Sequence, residues 1–386
     1  MTAESHPAPE STESEERSRV STLELFFDLV FVFTITQLTQ LFADRLDGVG
    51  TVRVLVMLWV IWWMYGAYVW LTNAVAPNSP LRRGLLLVGM GGFLAIALAV
   101  PQAFGPAGWV FGLGYIVVNA VHSGVFALAG GEGAVRAMRG GLAMLNLTSA
   151  GLVLAGGILT GPWRLGLWVA AVALQTATPY LHPLGSFSIA PSHFVERHGL
   201  VVIIALGESI IATGVGLAGL RLDAAVISAA VLALTVIYFM YWIYFGVDDE
   251  LAEKALRDIA DPMLRARRAL HAFGYAHLPL LFAIIAFAAG VKKIIGHPFE
   301  HAKPSYAFAL GGGAALYLLA HAWFRRILRL GSTRHALLCA ALVLATLPLG
   351  LVSGMAQLGG VIVAFLVAWL TVGDPARAER AVNPQP

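Results

Sequence analysis

Carboxylates and imidazoles set inside apolar runs are the residues of this sequence best suited to chemistry. Two segments concentrate them: Glu24-Leu-Phe-Phe-Asp28-Leu-Val-Phe-Val-Phe-Thr-Ile-Thr-Gln37, and Glu196-Arg-His-Gly-Leu-Val-Val-Ile-Ile-Ala-Leu-Gly-Glu208-Ser209. A carboxylate in hydrocarbon is costly, so it takes a partner, a proton or an ion. Glu24 and Asp28 stand one helical turn apart and repel each other when both are ionised. Read as purely structural, they are favoured by a helix N-terminus and paired with Arg19 or Arg82. Glu208 lies twelve residues beyond Glu196, about 18 Å further along a helix, which sets an acid near the middle of a membrane. Arg197 is too far along the same helix to neutralise it. His122 and His277 read either as hydrogen-bonded core imidazoles or as members of a proton relay.

These side chains need apolar helices to position them. The chain has 386 residues, 58% hydrophobic and 12% charged, with mean hydropathy +0.77. Soluble domains run near 25% charged, so the chain reads as a membrane protein. Runs long enough to span a bilayer fall near 23–43, 52–73, 84–101, 108–129, 140–160, 163–182, 195–219, 222–246, 269–290, 306–323, 335–352 and 356–372. With twelve spans, 18 of the 25 Lys and Arg residues fall on the side of the termini and 7 on the other. The positive-inside rule then places both termini in the cytoplasm. Trp70, Trp242, Trp323 and Trp369 fall at expected inner helix ends and Trp109 and Trp163 at outer ends, as an aromatic belt requires. On this topology the inner half of the membrane is rich in polar groups (His122, Asn146, Gln175, His271, His277, His321) and the outer half is drier, Gln37 and Gln40 excepted.

The expected fold is an all-α membrane protein of about twelve helices, arranged as two parallel six-helix repeats. The repeat rests on Glu24 and Glu196 opening each half, and on Met64-Tyr-Gly-Ala-Tyr68 matching Met240-Tyr-Trp-Ile-Tyr244. The divisions are a disordered cytoplasmic tail over 1–20, halves over 21–182 and 183–372, and a tail over 373–386. Residues 1–20 have no apolar h-region and do not read as a cleaved signal peptide. The small residues of the seventh helix, Gly199 through Gly216, are expected to let helices approach closely. Three other features carry no chemistry. Gly214-Val-Gly-Leu-Ala-Gly219 ends a membrane helix and follows no strand. His297-Pro-Phe-Glu-His301 sits in a short loop with no third ligand. Cys339 is a lone thiol in an apolar run. No cofactor, metal site or nucleic-acid motif is read.

The two acid-headed segments, with Ser192-His-Phe-Val-Glu preceding the second, resemble the signature segments of the bacterial low temperature requirement A (LtrA) family. His277-Leu-Pro-Leu and Ala314-Ala-Leu-Tyr-Leu-Leu-Ala-His321 also look like that family, and the resemblance covers nearly the whole chain outside its tails. It implies a polytopic protein of the bacterial cytoplasmic membrane, with a name drawn from a cold-growth phenotype and no agreed molecular activity. Phe26-Phe-Asp28-Leu-Val-Phe-Val-Phe-Thr-Ile-Thr36 is similar to the pore-lining helix of the endolysosomal potassium and proton channels, which are built from six-helix units. Phe27 replaces that family's serine, Thr22 its arginine, and Leu200 the aspartate of the second half. If the pore position transfers, Phe33, Gln37 and Gln40 face a pathway.

The leading expectation is a channel or transporter for a small cation or protons, with a conduit between the first helices of the two halves. Glu24, Asp28, Glu196 and Glu208 would handle the ion or proton, with His122 and His277 assisting. Two readings stay open beside it. One is a membrane enzyme or small-molecule-binding protein with a cytoplasm-facing site around Glu196 and His198. The other is a structural or regulatory membrane protein. The expected partner is the lipid bilayer, and homo-oligomer formation stays open.

Overall fold

Helix caps and prolines set where the elements begin. Ser21 caps the first helix in a reciprocal box, its side chain taking the Glu24 amide while Glu24 reaches back, which satisfies amides that a helix start otherwise leaves bare. Asp47, Ser79 and Asp223 cap later helices, and Pro80, Pro191, Pro262 and Pro304 stand in first turns, where their missing amide costs nothing. A computed structural model describes residues 20–75, 79–129, 135, 141–181, 189–219 and 221–372, with no side-chain description at Ala129, Trp369, Thr371 or Val372. Arg17, Arg19, Arg136, Arg139, Arg377, Arg380 and the greater part of both tails lie outside the described residues.

Every regular element among the described residues is helical. In order they are α1 (Thr22–Asp44), α2 (Gly48–Ala74), α3 (Pro80–Ala99), α4 (Gly108–Ala129), α5 (Ala143–Ile158), α6 (Pro162–Leu181), α7 (Pro191–Gly216), α8 (Ala224–Phe245), α9 (Asp248–Arg257), α10 (Pro262–Ala269), α11 (His277–Ile294), α12 (Pro304–Leu328), α13 (Arg334–Ala345), α14 (Leu347–Val352) and α15 (Gly354–Val372). A π turn, Leu270–Tyr275, joins α10 to α11, with the Ala276 amide reaching the His271 carbonyl at 3.1 Å.

Nine helical stretches among the described residues are long and apolar enough to cross a membrane. They are α1, α2, α3 with its following turn, α4, α7, α8 continuing into α9, α10 through α11, α12, and α13 with α14. Of the twelve runs read from the sequence, three fall outside that set. α5 and α15 are apolar but short; α6 carries Arg164, Gln175 and an internal Pro179. Trp109, Trp163, Trp242 and Trp323 are exposed on the bundle, Trp70 is half-buried and Trp62 is buried.

The bundle has a packing order that recurs along the chain. α1 packs on α3, α3 on α4, α4 on α5, α5 on α6, and α2 on α6. α7 packs on α11, α11 on α12, α12 on α13, α13 on α15, and α8 on α15. α1 also lies against both α7 and α11. The tightest crossings rest on glycine. A Cβ on Gly290 of α11 would stand 2.5 Å from the Leu310 amide nitrogen, and one on Gly313 of α12 would stand 2.6 Å from that of Phe287. Gly92 and Gly114 oppose each other in the same way between α3 and α4. The small residues of α7 fill this role less than the sequence suggests. Gly207 and Gly214 have no atom within 4 Å of a Cβ position, and only Gly216 meets a neighbouring backbone, the Lys292 carbonyl, at 2.9 Å.

Candidate functional site

Three polar constellations lie within this bundle. The first joins α1, α2 and α7 at the end that carries Glu24. Arg197 is 1% exposed; its Nη1 donates to Glu24 Oε1 at 2.9 Å and its Nη2 to Asp28 Oδ1 at 2.6 Å. Tyr65 Oη of α2 donates to the same Asp28 oxygen at 2.9 Å. His193 Nε2 lies 3.1 Å from Glu24 Oε1, and Ser21 donates to Glu24 Oε2 through its amide at 2.9 Å and its hydroxyl at 2.8 Å. Asp28 Oδ2 and Arg197 Nε have no partner among the described residues. The acids at positions 24 and 28 are therefore both paired with Arg197, on another helix; Arg19, one of the partners offered by the structural reading of the sequence, lies outside the described residues. One guanidinium spans two carboxylates that helical spacing forces together, which relieves their repulsion. Glu196, its neighbour in sequence, is exposed, because adjacent helical positions point about 100° apart.

The second constellation follows α1 toward its other end. Glu208 is 3% exposed, and its Oε2 accepts a hydrogen bond from Thr36 Oγ1 at 2.6 Å. One turn further along α1, Gln40 accepts from Lys292 of α11. The Gln40 amide donates to Asp44 at 2.9 and 3.0 Å, and Lys293 Nζ lies 3.9 Å from Asp44. Ser209 and Thr39 add buried hydroxyls without partners among the described residues. Thr36, Gln40 and Asp44 thus form one stripe of α1, facing α7 and α11. Phe33 and Gln37 are half-buried and make none of these contacts. Thr36 is eight residues, about 12 Å, from Asp28. Buried Phe31, Val32 and Ile35 of α1 and Val201, Val202 and Ala205 of α7 fill the interval.

The family profile of the bacterial low temperature requirement A protein matches residues 19–371. The chain belongs to the LtrA family. An uncharacterized protein of Rhizobium meliloti (strain 1021) is 28% identical over 340 residues, covering 84% of this chain and 81% of that one. No solved structure matches the chain.

The third constellation of this LtrA chain surrounds its histidines. His277 is fully buried; its Nδ1 lies 2.9 Å from the Ala272 carbonyl and its Nε2 2.7 Å from Tyr244 Oη. Trp62 stacks over it at 6.4 Å between ring centroids and donates its Nε1 to the Gly274 carbonyl at 2.7 Å. His198 stands edge-on at 5.8 Å. His122 lines a cleft between α2, α4, α5, α6, α7 and the π turn, into which Trp62, His198 and Gly274 of this group also face. A separate buried group ties α9 to α12, where Asp248 pairs with Arg325 and its Oδ2 lies 2.8 Å from His321 Nε2. No group of three or more potential ligands gathers for a metal among the described residues, and His297 pairs with Glu300 in an exposed loop.

Sequence reasoning missed Thr36, Lys292 and Tyr65 as site residues. Thr36 and Lys292 did carry a signal. Thr36 is a polar residue inside an apolar run and Lys292 stands just past the end of one, and such residues usually face protein rather than lipid. What the spacing does not contain is which helix they face.

Proposed function

We propose that this protein conducts or transports a small cation or protons along the α1, α7 and α11 interface, with Glu208 as the group that takes up and releases charge. The observation that carries the reading is the contact of Glu208 with Thr36. A carboxyl deep in a membrane helix is held there by a neutral hydroxyl rather than by a direct ion pair. A hydroxyl can serve either charge state of the acid, accepting from the protonated form and donating to the ionised one. The neighbouring Gln40, Asp44, Lys292 and Lys293 continue a polar file to one end of the bundle. Toward the other end the apolar layer of Phe31, Ile35 and Val202 separates Glu208 from the Arg197 cluster. In this reading Glu24, Asp28 and Arg197 close the cytoplasmic mouth, and Phe33 and Gln37 stay beside the path. His122, His277 and Glu196 have no place in the file.

The reading extends to architecture. Twelve spans in two parallel six-helix repeats, both termini cytoplasmic, fit the recurrent packing order of α1, α3, α4, α5, α6 and of α7, α11, α12, α13, α15. The tyrosine match between α2 and α8 is less symmetric, since Tyr65 is buried against Asp28 and Tyr241 is only half-buried. Flux into proteoliposomes tests the function. Potassium, sodium or proton movement should appear with the wild type and fall at least tenfold in Glu208→Gln. No flux of any of these ions, or full flux in that variant, overturns it.

A further inference from the structure

The cleft beside His122 is lined by aromatic residues and is distinct from the Glu208 file. Its cavity volume is about 100 Å³, and Trp62, Trp63, Trp70, His122, Asn146 and His198 set its character. Among the described residues no Asp, Glu, Lys or Arg side chain lines it. A charged ligand would sit there without a counter-charge, at high cost in a low-dielectric site. Three indoles favour flat π-systems, which stack on them.

The polar atoms define the ligand further. His122 is 3% exposed, and its Nδ1 has no partner among the described residues. His198 is 1% exposed, with Nδ1 2.8 Å from the Phe194 carbonyl. A ring nitrogen bonded to a carbonyl must carry the hydrogen, so in the neutral ring the other nitrogen is an acceptor. Thr178 Oγ1 already donates to the Leu174 carbonyl at 2.8 Å, so it too offers lone pairs. His198 and Thr178 thus present acceptors to the cleft, the Asn146 amide is ambivalent, and the Trp62 N–H among its indole donors is already spent on the Gly274 carbonyl. Buried acceptors of this kind call for a donor.

We propose that this cleft binds a neutral, flat aromatic small molecule carrying an O–H or N–H donor. The inference does not depend on ion transport. Gly66 supplies a control, because a Cβ there would meet no atom within 4 Å. Gly66→Phe should therefore fill the cleft without displacing the helix.

The test measures binding to the full chain in nanodiscs, with empty nanodiscs subtracted for lipid partitioning. The probes are 2-naphthol, 2-methoxynaphthalene, which lacks the donor, and 2-(aminomethyl)naphthalene as its ammonium. The wild type should bind 2-naphthol at least tenfold more tightly than either of the others. Gly66→Phe should abolish that binding, His122→Phe should erase the preference over the methyl ether, and Glu208→Gln should leave it unchanged. Equal affinity for naphthol and its methyl ether, preference for the ammonium, undiminished binding in Gly66→Phe, or no binding of any probe overturns the proposal. The comparison of probes on the wild type decides the matter even if His122→Phe fails to fold.

Discussion

Replacing Arg197 with methionine tests whether the buried cluster at the Glu24 end holds α1 against α7. Methionine keeps the volume and removes the charge. The two carboxylates then fare differently. Glu24 keeps the Ser21 amide and hydroxyl at 2.9 and 2.8 Å and His193 at 3.1 Å. Asp28, fully buried, keeps only Tyr65 Oη at 2.9 Å. Nearly all of the cost should therefore fall on Asp28. Breaking a buried ion pair by removing one partner costs about 3–5 kcal/mol. Adding Asp28→Asn removes the orphaned charge, and the double variant should regain all but about 1–2 kcal/mol, the scale of an ordinary lost hydrogen bond. Adding Glu24→Gln instead should regain little, since that acid was never stranded. Reversible unfolding of the purified protein in mixed micelles, run as a double-mutant cycle, reads these differences. The reasoning fails if Arg197→Met lies within about 1 kcal/mol of the wild type, or if Glu24→Gln rescues as well as Asp28→Asn.

Two further outcomes follow from local geometry. Gly290→Ala places a methyl against the Leu310 backbone and should cost about 1–3 kcal/mol as overpacking, whereas Gly207→Ala, with open space around it, should be tolerated; equal unfolding midpoints for the two would contradict the crossing. Asp47, in the turn before α2, accepts from the Gly50 amide at 2.7 Å and from Arg45 Nε at 2.9 Å, and these bonds hold its carboxyl below the ordinary 3.8. A depressed value means the cap is in full force above that ordinary value and weakens as pH falls through the folded one. Hydrogen exchange corrected for intrinsic rates should show Gly50 protected at about pH 6 and losing protection only below pH 3.8; unchanged protection, or the same loss in Asp47→Asn, would show that the carboxylate is not the cap.

Hydropathy located the helices and their starts, because span length and capping chemistry are local properties. Ser21 with Glu24, and prolines at first turns, are legible three or four residues at a time. The family resemblance was legible for the same reason, resting on contiguous segments. Partners across helices were not. Nothing local tells Glu24 and Asp28 to choose Arg197, 169 residues beyond Asp28, over Arg82. The stripe of α1 expected to line a pathway shares Gln40 with the polar face that the structure turns to α7 and α11. Phe33, Gln37 and Gln40 form a plausible face by spacing, yet the face turned to α7 and α11 carries Thr36, Gln40 and Asp44. The close-packing role given to α7 is met at Gly216 but not at Gly207 or Gly214, because small residues permit close approach without requiring it. Gly92, Gly290 and Gly313 realise it elsewhere in the bundle.

The π turn between α10 and α11 has a meaning for length variation in relatives. A π turn holds one residue more than the α-helix it interrupts, so it behaves as a single insertion frozen into a continuous rod. The insertion frees the Gly274 carbonyl for Trp62 and sets His277 against Tyr244. Deleting any one residue of 270–275 would let the rod run straight, and everything before the deletion would rephase by about 100° against everything after it. A one-residue gap at this point in a relative's sequence would therefore change the face that α10 presents, while leaving every helix at its full length.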